Sequence, residues 1–274
     1  MPSLVGSEMC IRDRLSPKHP ITKTLQALEG FLYRKAARII TLLPLAHEYI
    51  TTLGIPQSKI VWIPNGADLS RFKDFNSSEG TKKGFVVMYL GAHGQANALD
   101  VVIRAAKVIQ GRGFEDIRFV LVGSGPEKPR LVTLARELDL QNVEFRDPVP
   151  KSRVPEVLEG ADVTVFVLHA IPLYRYGISL NKLFDYWASG KPILMAGAPA
   201  NNPVKEAGCG FTVPPGDPEA LAEAVIGLYS MPPEEREAMG RRGRAYVEKH
   251  YSISVLADKL EGLLSEVVKE PLRN

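Results

Sequence analysis

From Phe85 onward, short apolar runs rich in β-formers alternate with longer stretches of helical period. The runs are FVVMYLG (85–91), IRFVLVG (117–123), NVEF (142–145), DVTVFVL (162–168), PILMA (192–196) and GFTV (210–213). Strands this uniformly apolar are covered on both faces, and helix-length segments between them call for parallel crossovers. The pattern therefore predicts an α/β fold with a doubly wound, Rossmann-like parallel sheet. The clearest helix follows the first run: Leu99, Val102, Ile103, Ala106 and Ile109 form one stripe, with Asn97 placed to cap it and Gly111 to end it.

Upstream lies a smaller pattern. ARIITLL (37–43) reads as a strand, PLAHEYITTLG (44–54) as a helix stopped by Gly54, and KIVWIPNG (59–66) as a strand ending in a turn. Two strands and a helix cannot bury a core alone, so this piece must lean on the rest of the chain. The polar stretch 73–84 reads as a linker and 85–250 as the main domain. The segment 251–270 closes with an amphipathic helix from Ser254, bearing Val255, Leu256, Leu260, Leu263, Leu264 and Val267 on one side. Residues 1–14, MPSLVGSEMCIRDR, have neither a signal-peptide core nor a periodicity that continues past Arg14. They read as a non-native leader on a chain begun further upstream, with a disordered native leader as the alternative.

Composition narrows the classes. Among 274 residues, 45% are apolar and 24% charged, which excludes a disordered or fibrous chain, and a net charge of +3 gives no support for nucleic acid as a partner. The basic cluster Arg241, Arg242, Arg244 and Lys249 reads as a solvated helix face. Cys10 and Cys209 match no metal or disulfide spacing, as expected of a reducing compartment. No run approaches the roughly 20 apolar residues needed to span a bilayer, so the expectation is a cytoplasmic protein, at most peripheral to a membrane. The five histidines show no metal spacing and no Asp-x-Asp pair occurs, so no metal is expected.

Ligands of open parallel sheets bind beyond the carboxyl ends of the strands. The most informative stretch is Tyr174-Arg-Tyr-Gly-Ile-Ser-Leu-Asn-Lys-Leu-Phe-Asp185 and on to Pro192. Gly177 and Ser179 leave backbone N–H groups free ahead of a helix, whose N-terminus attracts anions. Lys182 adds a positive charge, and Asn181 and Asp185, four apart, share a face that places a carboxylate one turn deeper, at about the distance of a ribose. A nucleoside diphosphate fits this pattern; an ordinary amphipathic helix with an Asn181 cap is the alternative. The loop Gly91-Ala-His-Gly94 offers close backbone approach to a phosphate and a donor in His93, unless it is merely a tight turn. Gly123-Ser-Gly-Pro-Glu-Lys128 lacks the third glycine of a dinucleotide fingerprint, and no GxxxxGK[S/T] occurs, which disfavours a dehydrogenase and a P-loop NTPase. Arg146–Pro150 could edge a base. His47, His169 and His250 read as surface or structural residues.

Taken in order, Ile63-Pro-Asn-Gly-Ala-Asp68 with Phe72, Tyr89-Leu-Gly91, Leu121-Val-Gly-Ser-Gly-Pro-Glu127, Ala161-Asp162, the 174–192 stretch and Gly210-Phe-Thr-Val-Pro-Pro214 resemble family-4 glycosyltransferases of the GT-B fold, particularly bacterial members that build surface polysaccharides. The resemblance implies two Rossmann-like domains, with 85–250 as the nucleotide-sugar domain and 15–72 as a remnant of the acceptor domain. It implies retaining, metal-independent and cofactor-free transfer from a nucleotide-diphosphate sugar, UDP-linked by first expectation, to a glycan or polyprenyl-linked acceptor. The second acid of the family's Glu-x7-Glu motif falls on Asp185, the ribose position, and the first falls on Gly177. Backbone groups of Gly177, Ile178 and Ser179, with Lys182, would then hold the diphosphate. The basic pair many members carry after the first donor-domain strand is replaced by His93 and Gly94. Lys182 and His93 are the catalytic candidates; Gly91, Gly94, Gly123, Gly177, Ile178, Ser179, Asn181, Lys182 and Asp185 are the binding candidates. A GT-B nucleotide-sugar epimerase and a non-catalytic nucleotide-binding module share these features.

Overall fold

The computed structural model describes residues 19–72 and 84–269. The leader read at 1–14, Cys10, the linker apart from Gly84, and Glu270 lie outside the described residues. The described part opens with α1 (Pro20–Lys35), β1 (Ile39–Thr41), α2 (Ala46–Thr52) and β2 (Ile60–Trp62), and β1 pairs with β2 in parallel. Both strands are shorter than their apolar runs because pairing covers only three residues of each. The small core of Ile39, Ala46, Tyr49, Ile50 and Ile55 is completed by Tyr176 from the larger domain. This is the support that so few elements require.

The six downstream runs become β3 (Phe85–Leu90), β4 (Ile117–Val122), β5 (Val143–Arg146), β6 (Val163–Val167), β7 (Ile193–Ala196) and β8 (Gly210–Val213). They form one sheet in the order β5-β4-β3-β6-β7-β8, every pairing parallel. The chain winds outward from β3 to β5, then returns to β6 and winds the other way, so the topological switch point lies between β3 and β6.

The helices that make the return crossings are α3 (Leu99–Gly111), α4 (Lys128–Glu137), α5 (Val154–Glu159), α6 (Asn181–Ala188) and α7 (Pro203–Glu206); α8 (Pro218–Ser230), α9 (Pro233–Tyr251) and α10 (Ile253–Lys269) follow β8. Successive strand residues point to opposite faces. Val87 and Tyr89 thus join Val102, Ile103 and Ile109 of α3 and Leu221 and Val225 of α8, whereas Val86 and Met88 join Leu158 of α5, Leu183, Phe184 and Trp187 of α6 and Val247 of α9. Both faces of the four central strands are covered, which is why these carry almost no polar alternation, whereas the edge strands β5 and β8 are partly exposed, against the expectation of full cover.

One local reading changes. Asn97 does not cap α3: the cap position is Ala98, in the left-handed region at φ 42, and Asn97 ends a short 3₁₀ turn instead. Gly111 does end α3, as its last helical residue, with Arg112 in the cap position. The stripe of α10 is mostly uncovered, with Leu263 buried and Val255, Leu260 and Leu264 exposed. Among the described residues no helix is long and apolar enough to cross a membrane.

A seam joins the upstream piece to the junction of α9 and α10. Ala67 N–H donates to Tyr251 O at 2.9 Å and Ile253 N–H to Ala67 O at 3.1 Å. The Tyr251 ring stacks on Trp187, 5.5 Å between centroids and 4° from parallel, and meets Trp62 edge-on at 6.3 Å.

Candidate functional site

The loops after β3 and β6 open at the switch point, and α6 starts there. Leu180 is its cap residue and provides no side-chain bond, so Asn181 is the first helical residue, exposed, and not the cap. Lys182 reaches back over the end of β3. Its Nζ donates to the Tyr89 hydroxyl at 2.9 Å and to Asn97 Oδ1, and lies 4.5 Å from the Tyr89 ring centroid. Tyr89 Oη and Asn97 Nδ2 in turn donate to Ala92 O at 2.6 and 2.9 Å. Among the described residues no carboxylate pairs with this ammonium, and burial pushes its pKa from 10.5 down to about 7. A desolvated cation held by neutral dipoles is ready for an anionic ligand.

The Gly91–Gly94 loop is set by packing. A Cβ on Gly123 would lie 1.9 Å from Gly91 O, at a φ of +145 that side chains rarely adopt, so glycine is what lets the two strand-end loops touch. His93 N–H donates to Ser124 O at 2.7 Å and Glu127 N–H to His93 O at 3.0 Å. The His93 ring points inward, fully buried between Tyr89 and Phe145, and neither ring nitrogen has a partner among the described residues. Burial, then the charges of Lys128 and Lys182, lower its pKa to about 4. It is therefore a neutral core residue here, and the donor role expected of it is not available in this conformation. Gly94 shows no close approach of its own beyond Asn97.

The 174–180 turn is held from three sides. Gly177 adopts φ +93, and a Cβ there would meet Pro44 Cγ at 2.6 Å and Asn201 Oδ1 at 2.7 Å. Gly177 N–H donates to Tyr174 O at 3.1 Å and Ile178 N–H to Asn201 Oδ1 at 2.7 Å. These two amides, expected free for a phosphate, are engaged within the protein. Ser179 Oγ accepts from Asn65 N–H at 3.0 Å, Asn65 Nδ2 donates to Ser179 O at 2.9 Å, and Leu45 N–H donates to Tyr176 O at 3.1 Å. The upstream piece thus sets the approach to α6.

Asp185 lies one turn along α6 from Asn181, with a side chain 12% exposed. Its Oδ1 accepts from Arg71 Nη2 at 3.0 Å, and Arg71 Nη1 donates to Lys151 O at 3.2 Å. Burial raises the Asp185 carboxyl, opposed by Arg71. The ribose candidate is therefore already bound to a guanidinium delivered from the far end of the Ile63–Phe72 motif.

Around the switch point the loops 91–98, 168–180 and 197–202 contain no Asp or Glu. Among the described residues no group of three or more His, Cys, Asp or Glu could hold a metal ion. The structure brings together Gly91, Gly123, Lys182 and, through Asp185, Arg71; it adds Tyr89, Asn97, Asn65 and Asn201, which the motifs did not mark as ligands. Polar residues at strand ends and in a Pro-Asn-Gly turn were the available signal.

A doubly wound parallel sheet with Lys182 at its switch point defines a Rossmann-like α/β domain. Residues 84–231 match the family described as Glycosyl transferases group 1, and the chain belongs to that family. It is 28% identical over 233 residues to the D-inositol 3-phosphate glycosyltransferase of Nocardia farcinica, covering 80% of this chain and 49% of that one. It is 25% identical over 240 residues to the putative colanic acid biosynthesis glycosyltransferase WcaL of Escherichia coli, covering 85% and 57%. The chain thus spans about half the length of the curated relatives it matches. Among solved structures, Anabaena Alr3699/HepE in complex with UDP and glucose superposes with a TM-score of 0.71 at 18% identity, over 91% of this chain and 68% of that one. Sucrose-phosphate synthase from Thermosynechococcus elongatus does so at 0.74 and 19%, over 94% and 65%. These likenesses establish the GT-B fold.

Proposed function

We propose that this chain is the donor-binding part of a glycosyltransferase that moves a sugar from a nucleotide-diphosphate donor, UDP-linked, to a glycan or lipid-linked acceptor in surface-polysaccharide assembly. The observation that carries the reading is Lys182, a buried ammonium at the switch point with no carboxylate partner among the described residues. Breaking the bond from the anomeric carbon sends its electron pair to the diphosphate. Lys182, half-buried at the end of β3, and the α6 N-terminus meet the charge that develops there. The cation is part of the protein, so the reading includes no metal and no organic cofactor, and retention of anomeric configuration is part of the same proposal. The Alr3699/HepE complex with UDP and the surface-polysaccharide relative WcaL support the choice of nucleotide and of pathway class. Gly177 and Ile178 amides being engaged, Lys182 carries most of the diphosphate contact.

The test is calorimetric titration with UDP, GDP and ADP. Saturable binding of UDP, weakened at least tenfold in Lys182→Ala, is expected. Equal affinity of the variant and the parent chain removes Lys182 from the site, and preference for GDP or ADP overturns the choice of nucleotide.

A further inference from the structure

Asn201 lies just past β7, on one side of the β3–β6 switch point, and bonds Ile178 in the turn that leads into Lys182; on the other side Arg71, the partner of Asp185, reaches towards Lys151 past β5. Asn201 Oδ1 accepts the Ile178 N–H at 2.7 Å, and since a backbone N–H only donates, that bond fixes which end of the carboxamide is oxygen. Its Nδ2 has one long contact, 3.4 Å to Ile178 O, which leaves donor capacity unused on a partly exposed side chain. The same Oδ1 stands 2.7 Å from the place of a Cβ on Gly177, with Pro44 closing the other side at 2.6 Å. No side chain at 177 can share that space, and the neighbouring loops 91–98, 168–180 and 197–202 supply no carboxylate. With a diphosphate on Lys182 and a nucleoside towards Asp185, the remaining end of the ligand meets an amide donor rather than an anionic acceptor.

We infer that Asn201 reads the glycosyl end of the donor, and that the site selects a sugar bearing an acceptor oxygen without a hydrogen, an N-acyl carbonyl or a carboxylate, over one presenting a hydroxyl. This rests on the donor-binding reading above. A hydroxyl can accept as well, but a carbonyl accepts without reorienting a proton, and a carboxylate gains from charge assistance.

The experiment titrates the chain with UDP, UDP-glucose, UDP-N-acetylglucosamine and UDP-glucuronic acid. The expected order is glucuronate tightest, then N-acetylglucosamine, then glucose, with about tenfold between the extremes, the scale of one charge-assisted hydrogen bond. Asn201→Asp keeps an acceptor for Ile178 N–H and converts the free donor into a carboxylate. The ratio of the glucose to the glucuronate dissociation constant should then fall to one or below. Equal binding of the three sugars by the parent chain, or an unchanged ratio in Asn201→Asp, overturns the assignment. The parent ranking decides alone if the variant does not fold. Binding of UDP without discrimination among sugars overturns this inference and leaves the donor-binding reading standing, whereas failure to bind UDP overturns both.

Discussion

If Lys182 holds the leaving diphosphate, affinity for UDP must fall as pH rises through the range in which a neutral amine replaces the ammonium. Burial brings the free Lys182 to about 7 from 10.5. An anionic partner in direct contact raises it again, so above pH 7 binding takes up a proton. The dissociation constant then rises about tenfold for each pH unit, about 1.4 kcal/mol each, until the bound-state value is reached. Between about pH 7.5 and 9.5 the loss is about a hundredfold on this scale, and the phosphate itself, with a second pKa near 6, is fully ionised throughout. Calorimetry in two buffers of different ionisation enthalpy should report close to one proton taken up near pH 8.5. Lys182→Met should bind weakly with neither slope nor uptake. The same depression acts on folding: from about 7 to 10.5 the unfolded chain holds the proton and the native one does not, so native stability without nucleotide rises with pH over that window. A flat affinity profile in the parent chain, or a slope that survives in Lys182→Met, refutes the reasoning.

Gly177→Glu, which would restore an acid at that position, should lower stability by about 2–3 kcal/mol, because φ is +93 and Pro44 and Asn201 occupy the side-chain space. Thermal unfolding should shift down by about 5–10 °C; an unchanged midpoint would show that the turn can open. Arg71→Ala leaves Asp185 buried without its partner and should cost about 2–3 kcal/mol near neutral pH, read by urea denaturation. Loss of Arg71 raises the Asp185 carboxyl further, so the deficit should shrink as pH falls and the group takes up a proton; a deficit that grows in acid contradicts this. Tyr89→Phe removes one acceptor from Lys182 and the donor to Ala92 while keeping the ring. UDP affinity should fall about fivefold, the scale of one neutral hydrogen bond, with little change in melting temperature.

The sheet was legible because its central strands are buried on both faces: Val86, Val87, Met88, Val163 and Phe166 read as strand whichever way they point. The position of Lys182 at a helix start was equally visible, since the Gly177 turn and the apolar positions of α6 lie within a dozen residues. What was not visible depends on long-range approach. Arg71 meets Asp185 and Asn65 meets Ser179 across 114 positions, and no local periodicity encodes either. Asn97 looked like a helix cap because its spacing suits one, yet Ala98 takes that place and Asn97 turns its oxygen to Lys182. His93 looked like a donor because histidine in a glycine loop is polar; the packing of Gly123 and Gly125 against that loop forces the ring inward.

The seam at Tyr251 gives the molecule an optical readout. Trp62 and Trp187 are its two tryptophans, and both rest on that one phenol ring, one from the upstream piece and one from α6. Trp187 is 2% exposed and should emit in the blue, sheltered from a soluble quencher, whereas Trp62 is partly open to solvent. Loosening of the upstream piece would redden and expose the Trp62 emission while Trp187 stays blue. Emission wavelength and quenching together would therefore tell a parting of the two pieces from unfolding of the sheet.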